Sequence, residues 1–143
     1  MHEVWLVEPV RVSLADLQSH AGIVWRELPR GSVVWLTGDL GVGKTAFVTA
    51  LTRAAGAEGA RSPTYAFIHE YPTPDGLIVH VDCYRLFSPE EALDLDLLEL
   101  ASGARLTLIE WPERAGGFAP EPDLYLRFSH VDDADIRLLE RIV

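Results

Sequence analysis

Apolar positions along the chain fall into short runs of two kinds, and their spacing predicts strands alternating with helices. Leu14, Leu17, Ala21, Val24, Trp25 and Leu28 recur at helical intervals behind Ser13, a capping residue, and predict a helix over Leu14–Leu28 broken by Pro29-Arg30-Gly31. Val33-Val34-Trp35-Leu36 has no polar interruption, as expected of a strand covered on both faces of a parallel sheet. Thr45–Ala55 returns to helical spacing, with Phe47, Val48 and Leu51 inward and Gly56 as its stop. Leu77–Val81 and Leu106–Ile109 are two further buried strands, each ending on an acid, Asp82 and Glu110. Between them, Ser88-Pro89-Glu90-Glu91 announces a helix through a capping serine, a proline at the first helical position and a following glutamate. Val4–Val7 and Tyr65–Tyr71 predict shorter strands, with Pro63, Pro72, Pro74 and Gly76 as punctuation. Gly116 to Pro122 reads as loop, and Leu124–Phe128 with Ile136–Ile142 as a closing hairpin around Asp132-Asp133. This order predicts a single three-layer α/β domain over residues 1–143, with a mostly parallel sheet plus antiparallel strands.

The turn between the first long strand and its helix carries the strongest chemical signal. Gly38-Asp39-Leu40-Gly41-Val42-Gly43-Lys44-Thr45 is a complete phosphate-binding loop of the form G-x-x-x-x-G-K-[ST]. Its glycines admit positive φ and let backbone N–H groups of Asp39 through Ala46 approach phosphate oxygens. The helix that follows points its positive end at the same anion. Lys44 is placed to reach the terminal phosphates, and the Thr45 hydroxyl to ligate Mg²⁺. The chain is therefore expected to belong to the P-loop NTPases. Ala46 stands where a second hydroxyl often helps hold the α-phosphate, leaving only the backbone N–H there.

Hydrolysis needs a carboxylate beside the metal or the attacking water. Asp82 and Glu110 both close apolar strands, and sheets of this class gather their ligands at the carboxyl ends of strands. Glu110, behind Leu106-Thr107-Leu108-Ile109, has the pattern of a Walker B acid, with an acid capping the next turn as the plainer alternative for each. Thr64 lies where NTPases place a γ-phosphate-sensing switch, with an ordinary turn threonine as the plainer reading. Trp111 is read as a core aromatic or a flank of the nucleotide pocket, His80 as a structural histidine and Cys83 as a small buried hydrophobe. The segment Val10–Ser13 is available for adenine contacts.

Composition narrows the partners. The 143 residues are 48% hydrophobic, and 12 basic against 22 acidic residues give a formal charge of −10. Such a surface repels polyanions, which argues against a tRNA or DNA groove while leaving ATP open. With one cysteine and no long apolar run, the expectation is a cytoplasmic protein without a membrane span. From Leu86 to Ala104 the acids Glu90, Glu91, Asp94, Asp96 and Glu99 stand with no basic residue, either as a solvated helix face or as a docking surface.

Together the phosphate loop, Ser62-Pro63-Thr64-Tyr65, His80-Val81-Asp82-Cys83-Tyr84-Arg85-Leu86 and Leu108-Ile109-Glu110-Trp111-Pro112-Glu113 resemble the TsaE (YjeE) family. That family supplies the small ATPase of bacterial tRNA threonylcarbamoyladenosine biosynthesis. The resemblance implies that Lys44 and Thr45 bind phosphate and Mg²⁺, that Thr64 is the switch, that Asp82 and Glu110 serve metal and hydrolysis, and that Trp111 lies beside the nucleotide. It also implies work with the TsaB–TsaD pair at adenosine 37 of tRNA. Cys83 and Ala46 depart from the residues usual there. The rivals are a small-molecule kinase, which would need an acceptor pocket, and a nucleotide-gated adaptor whose hydrolysis is incidental. A GTPase is disfavoured because no Asn-Lys-x-Asp motif occurs.

Overall fold

The structure is a computed structural model that describes residues 8–60 and 67–142. The strand expected at Val4–Val7 and the segment Ser62-Pro63-Thr64-Tyr65 lie outside the described residues. The strand expected from Tyr65 is described from Ile68 onward.

The helix at Leu14 forms for the reason its sequence suggests. Ser13 Oγ accepts the Asp16 N–H, and the Asp16 carboxylate accepts the Ser13 N–H, both at 3.2 Å, closing a capping box on α1 (Leu14–Glu27). Ahead of it, Val10–Val12 forms a short strand, β1, that the sequence pattern did not mark. The chain continues through β2 (Ser32–Thr37), α2 (Lys44–Ala54), β3 (Ile68–Thr73) and β4 (Gly76–Asp82). It then runs through α3 (Pro89–Leu95), α4 (Leu97–Ser102), β5 (Leu106–Glu110), β6 (Leu124–His130) and β7 (Arg137–Ile142).

One seven-stranded sheet results, in the order β1–β7–β6–β2–β5–β4–β3. Its centre, β6–β2–β5–β4, is parallel throughout, and β7, β1 and β3 join antiparallel at the flanks. The fold is thus mixed α/β with a parallel core plus antiparallel strands, as expected. Pleating divides the core into two layers. Val34 and Leu36 of β2, with Leu106 and Leu108 of β5, pack under α1 and α2. Val33 and Ile109 face the opposite layer, against Ala92, Leu97 and Ala101 of α3 and α4. Every β5 residue is buried, which explains its unbroken apolar run. Phe47 of α2 meets Phe128 of β6 edge-to-face at 5.6 Å, seating the helix that leaves the phosphate loop.

Four local readings need correction. Ser88 precedes α3 but its side chain caps nothing; Glu91 reaches back instead and accepts the Phe87 N–H at 3.1 Å. The helix is also interrupted, because Asp96 takes a left-handed conformation (φ 49°) and caps α4 by accepting the Glu99 N–H. The loop expected from Gly116 instead begins within a 3-10 segment spanning Pro112–Phe118. Pro72 sits inside β3 rather than ending it, since an edge strand can spare an N–H.

Candidate nucleotide site

The parallel core delivers its carboxyl ends to one edge of the sheet, and the loop after β2 wraps that edge. Gly38 opens the loop at φ 140°, where a Cβ would stand 2.5 Å from the Phe128 carbonyl oxygen, so only glycine fits. Gly43 ends it at φ 117°, in the left-handed region, as the residue before α2. No side chain caps α2, which leaves the helix N-terminus open to an anion. Arg137 of β7 steadies the loop from the far side, its Nε donating to the Val42 carbonyl at 3.0 Å.

Lys44 is folded into the loop and 4% exposed. Its ammonium donates to the Gly38 carbonyl and lies 4.3 Å from the centroid of the Trp111 ring. Burial lowers its pKa, while Glu110, Asp82, Glu113 and Asp39 pull the other way. A buried cation facing acids, at a helix N-terminus, is well arranged to receive a polyanion.

A cleft of about 300 Å³ runs over this lysine. Leu40, Gly41, Gly43, Thr45 and Ala46 line it from the loop side, and Asp82, Glu110 and Trp111 from the strand ends. The register explains the convergence, because Asp82 and Glu110 are direct cross-strand partners on β4 and β5. Of the two acids, Glu110 is the buried one (4% exposed). Its Oε2 lies 2.6 Å from His80 Nε2, so His80 is partnered as expected, though with a site residue. Asp82 caps the next turn, its Oδ1 accepting the Tyr84 N–H at 3.0 Å, and it also lines the cleft. The side chains of Asp39 and Val42 lie outside this cleft, and Val42 borders the neighbouring hollow. Asp39 borders a depression beside Arg127, and Val42 is buried in the core. Thr64 lies outside the described residues.

Trp111 leaves β5 in the left-handed conformation (φ 55°), an uncommon state for a bulky residue. The turn brings its ring to the Lys44 ammonium and within 5.1 Å of the Tyr84 ring. Arg114 adds a guanidinium 5.6 Å from the same ring centroid. Trp111 is accordingly a flank of the cleft as well as a packed aromatic.

Beside the cleft lies a second hollow of about 190 Å³, lined by Val12, Ser13, Leu17 and Arg137 and sharing Gly43 and Ala46 with the first. Of the segment Val10–Ser13 to which the sequence pointed, Val12 and Ser13 line this hollow; Leu14 and Leu17 follow them directly on α1, whereas Arg137 arrives from β7, far along the chain.

Thr45, Asp82 and Glu110 are hard oxygen donors in one cleft, and among the described residues no group of three or more His, Cys, Asp or Glu forms a complete metal cage. That donor set suits Mg²⁺, which takes one or two protein oxygens alongside phosphate and water. No helix among the described residues is long and apolar enough to cross a membrane.

Comparison with known proteins agrees with this geometry. The family profile described as threonylcarbamoyl adenosine biosynthesis protein TsaE matches residues 12–139. The chain is 37% identical to the TsaE protein of Haemophilus influenzae over 103 residues, 71% of this chain and 65% of that one, just under two thirds of its length. It is 42% identical to the Rickettsia bellii protein of the same name over 74% of each chain. The Aquifex aeolicus protein is 39% identical over 76% of this chain and 79% of its own. The crystal structure of a Bacillus protein, YdiB, superposes with a TM-score of 0.72 at 24% identity, covering 92% of this chain and 83% of that one, and so shares the fold. With the profile spanning nearly the whole chain and relatives this similar, the protein belongs to the TsaE family of tRNA threonylcarbamoyladenosine biosynthesis.

Proposed function

We propose that the chain is an ATPase that binds ATP with Mg²⁺ and acts with a TsaB–TsaD pair in threonylcarbamoyladenosine formation, touching tRNA only through those partners. One observation carries the reading: a buried P-loop lysine faces two strand-end carboxylates across a single cleft.

The triphosphate lies along the loop, with Lys44 and the first N–H groups of α2 neutralising charge that builds on the γ-phosphoryl group. The α-phosphate passes over Ala46, which both hollows share, and the adenine enters the smaller, mainly apolar one. Thr45 with Asp82 or Glu110 holds Mg²⁺, which supplies further neutralisation of phosphate charge when bound. Glu110 also stands where a carboxylate can accept a hydrogen bond from the attacking water. Trp111 closes the cleft over Lys44. Thr64 senses the γ-phosphate.

Phosphate release and fluorescent-ATP binding test the reading, each measured with and without TsaB–TsaD. Turnover should be slow alone and rise with the pair. Glu110→Ala should keep binding ATP and joining the pair while phosphate release and sustained tRNA modification fail; Lys44→Ala should lose nucleotide itself. Equal turnover with and without the pair would sink the partnership, and sustained modification by Glu110→Ala would favour an adaptor whose hydrolysis is incidental.

A further inference from the structure

We propose that His80 is a positioning residue for Glu110: it holds one carboxylate oxygen so that the other is presented to the phosphate cleft. The inference rests on the ATPase reading of that cleft and adds to it a residue the motifs alone leave in a structural role.

The sheet places the pair. His80 and Asp82 are two apart on β4, and their partners on β5 are Leu108 and Glu110. Pleating therefore turns His80, Asp82 and Glu110 to one face, with His80 diagonal to Glu110. The His80 Nε2 to Glu110 Oε2 separation is 2.6 Å, with the side chains 9% and 6% exposed. An ionised carboxylate can only accept, so for Glu110 to serve as one Nε2 must carry the hydrogen of this bond. The His80 ring is itself held from the outer side, stacked at 5.9 Å on His69, its direct partner on β3.

A glutamate has three side-chain torsions, and this one faces a competing attraction from the Lys44 ammonium. Without an anchor, the carboxylate could swing toward that lysine and occupy the cation meant for phosphate. The His80 bond takes up Oε2, whereas Oε1 has no hydrogen bond from the described residues and belongs to a side chain lining the cleft. One oxygen is committed to the scaffold and the other is left for chemistry. Outer partners of metal or catalytic carboxylates act in this way, and their loss typically lowers activity or metal affinity about 10- to 100-fold.

Two variants separate positioning from mere support. His80→Leu removes the donor, whereas His80→Gln keeps an N–H that can reach the same oxygen. His80→Leu should lower kcat for ATP about 10- to 100-fold, with KM and fluorescent-ATP affinity little changed. His80→Gln should recover most of that kcat. Turnover is compared well below both unfolding temperatures, because His80→Leu leaves the buried Glu110 Oε2 without its donor and should weaken the fold as well, whereas a merely supporting role would leave kcat of the folded protein unchanged. Parent-like kcat in His80→Leu, or loss in both variants that tracks their unfolding temperatures, would overturn the inference while leaving the ATPase reading intact. A parent protein that binds ATP but releases no phosphate, even with its partner pair, would overturn that reading and the inference with it.

Discussion

Lys44 shows at the scale of one residue how the site is held ready. Its burial is the leading cause of a lowered pKa, and the surrounding carboxylates offset only part of it. With the folded value below the unfolded one, the unfolded chain binds the proton more readily between the two. Stability therefore rises with pH through that window and is lost as the pH falls through the folded value. Where it is charged, the lysine thus opposes folding of the nucleotide-free protein, a burden a bound triphosphate would relieve. Lys44→Met is expected to unfold at or above the parent's temperature without nucleotide and to lack the rise expected of the parent with ATP and Mg²⁺. Thermal unfolding with and without ATP checks this; a variant much less stable than the parent without nucleotide would refute it. Cys83, by contrast, is fully buried with its thiol pushed up to about 12, first by burial and then by nearby acids, so it is inert packing as its sequence context suggested.

At the scale of elements, the end of the sheet opposite the phosphate loop is fastened by charge. Asp75, in the β3–β4 turn, accepts from Arg105 Nε at 2.8 Å and from Arg30 Nη2 at 2.9 Å, joining that turn to the start of β5 and to the α1–β2 connection. The Arg105 hydrogen bond is the main reason the Asp75 carboxyl is held below its ordinary value; desolvation comes next and opposes it, and the charges of Arg30 and Arg105 add to the lowering. A depressed acid stabilises the fold above its unfolded value of 3.8 and ceases to do so as the pH falls through the folded one. Asp75→Asn should therefore melt earlier than the parent at neutral pH, and the gap should close below the carboxylate range. Thermal melts across acidic pH measure this, and a constant gap would place the effect elsewhere. Arg105 sharpens the expectation, because it is 9% exposed and its Nη1 has no hydrogen-bond partner among the described residues. The β3–β4 antiparallel ribbon was partly legible from sequence, but this fastening was not, since Asp75 and Arg105 are 30 positions apart.

Across the whole molecule, net charge and local site pull in opposite directions. A formal charge of −10 makes the surface repel nucleic acid, yet a buried lysine and an open helix N-terminus create one cationic pocket. The chain alone is expected to leave tRNA unshifted in a gel at physiological salt while binding ATP with Mg²⁺, and a salt-sensitive tRNA shift by the isolated chain would contradict that division. The acidic stretch on α3 and α4 contributes to this field and exposes Leu93 (57%) and Leu98 (64%), more apolar surface than a purely solvated face needs.

Sequence alone determined the parts whose chemistry is local. The capping box at Ser13, the glycine conformations of Gly38–Thr45, the buried runs of β2, β4 and β5, and the acids that end two of them follow from neighbouring residues and short-range sterics. Whatever depends on which strands lie side by side, and in what register, was decided only by tertiary structure. Strand order brought β4 beside β5, so that Asp82 faces Glu110 and His80 can hold it. The return of β7 carried Arg137 across 95 positions to the Val42 carbonyl and completed the second hollow. A residue's type fixes which bonds it can make, but the identity of its partner comes from packing two buried faces against a twisted sheet, and that is a property of the whole chain.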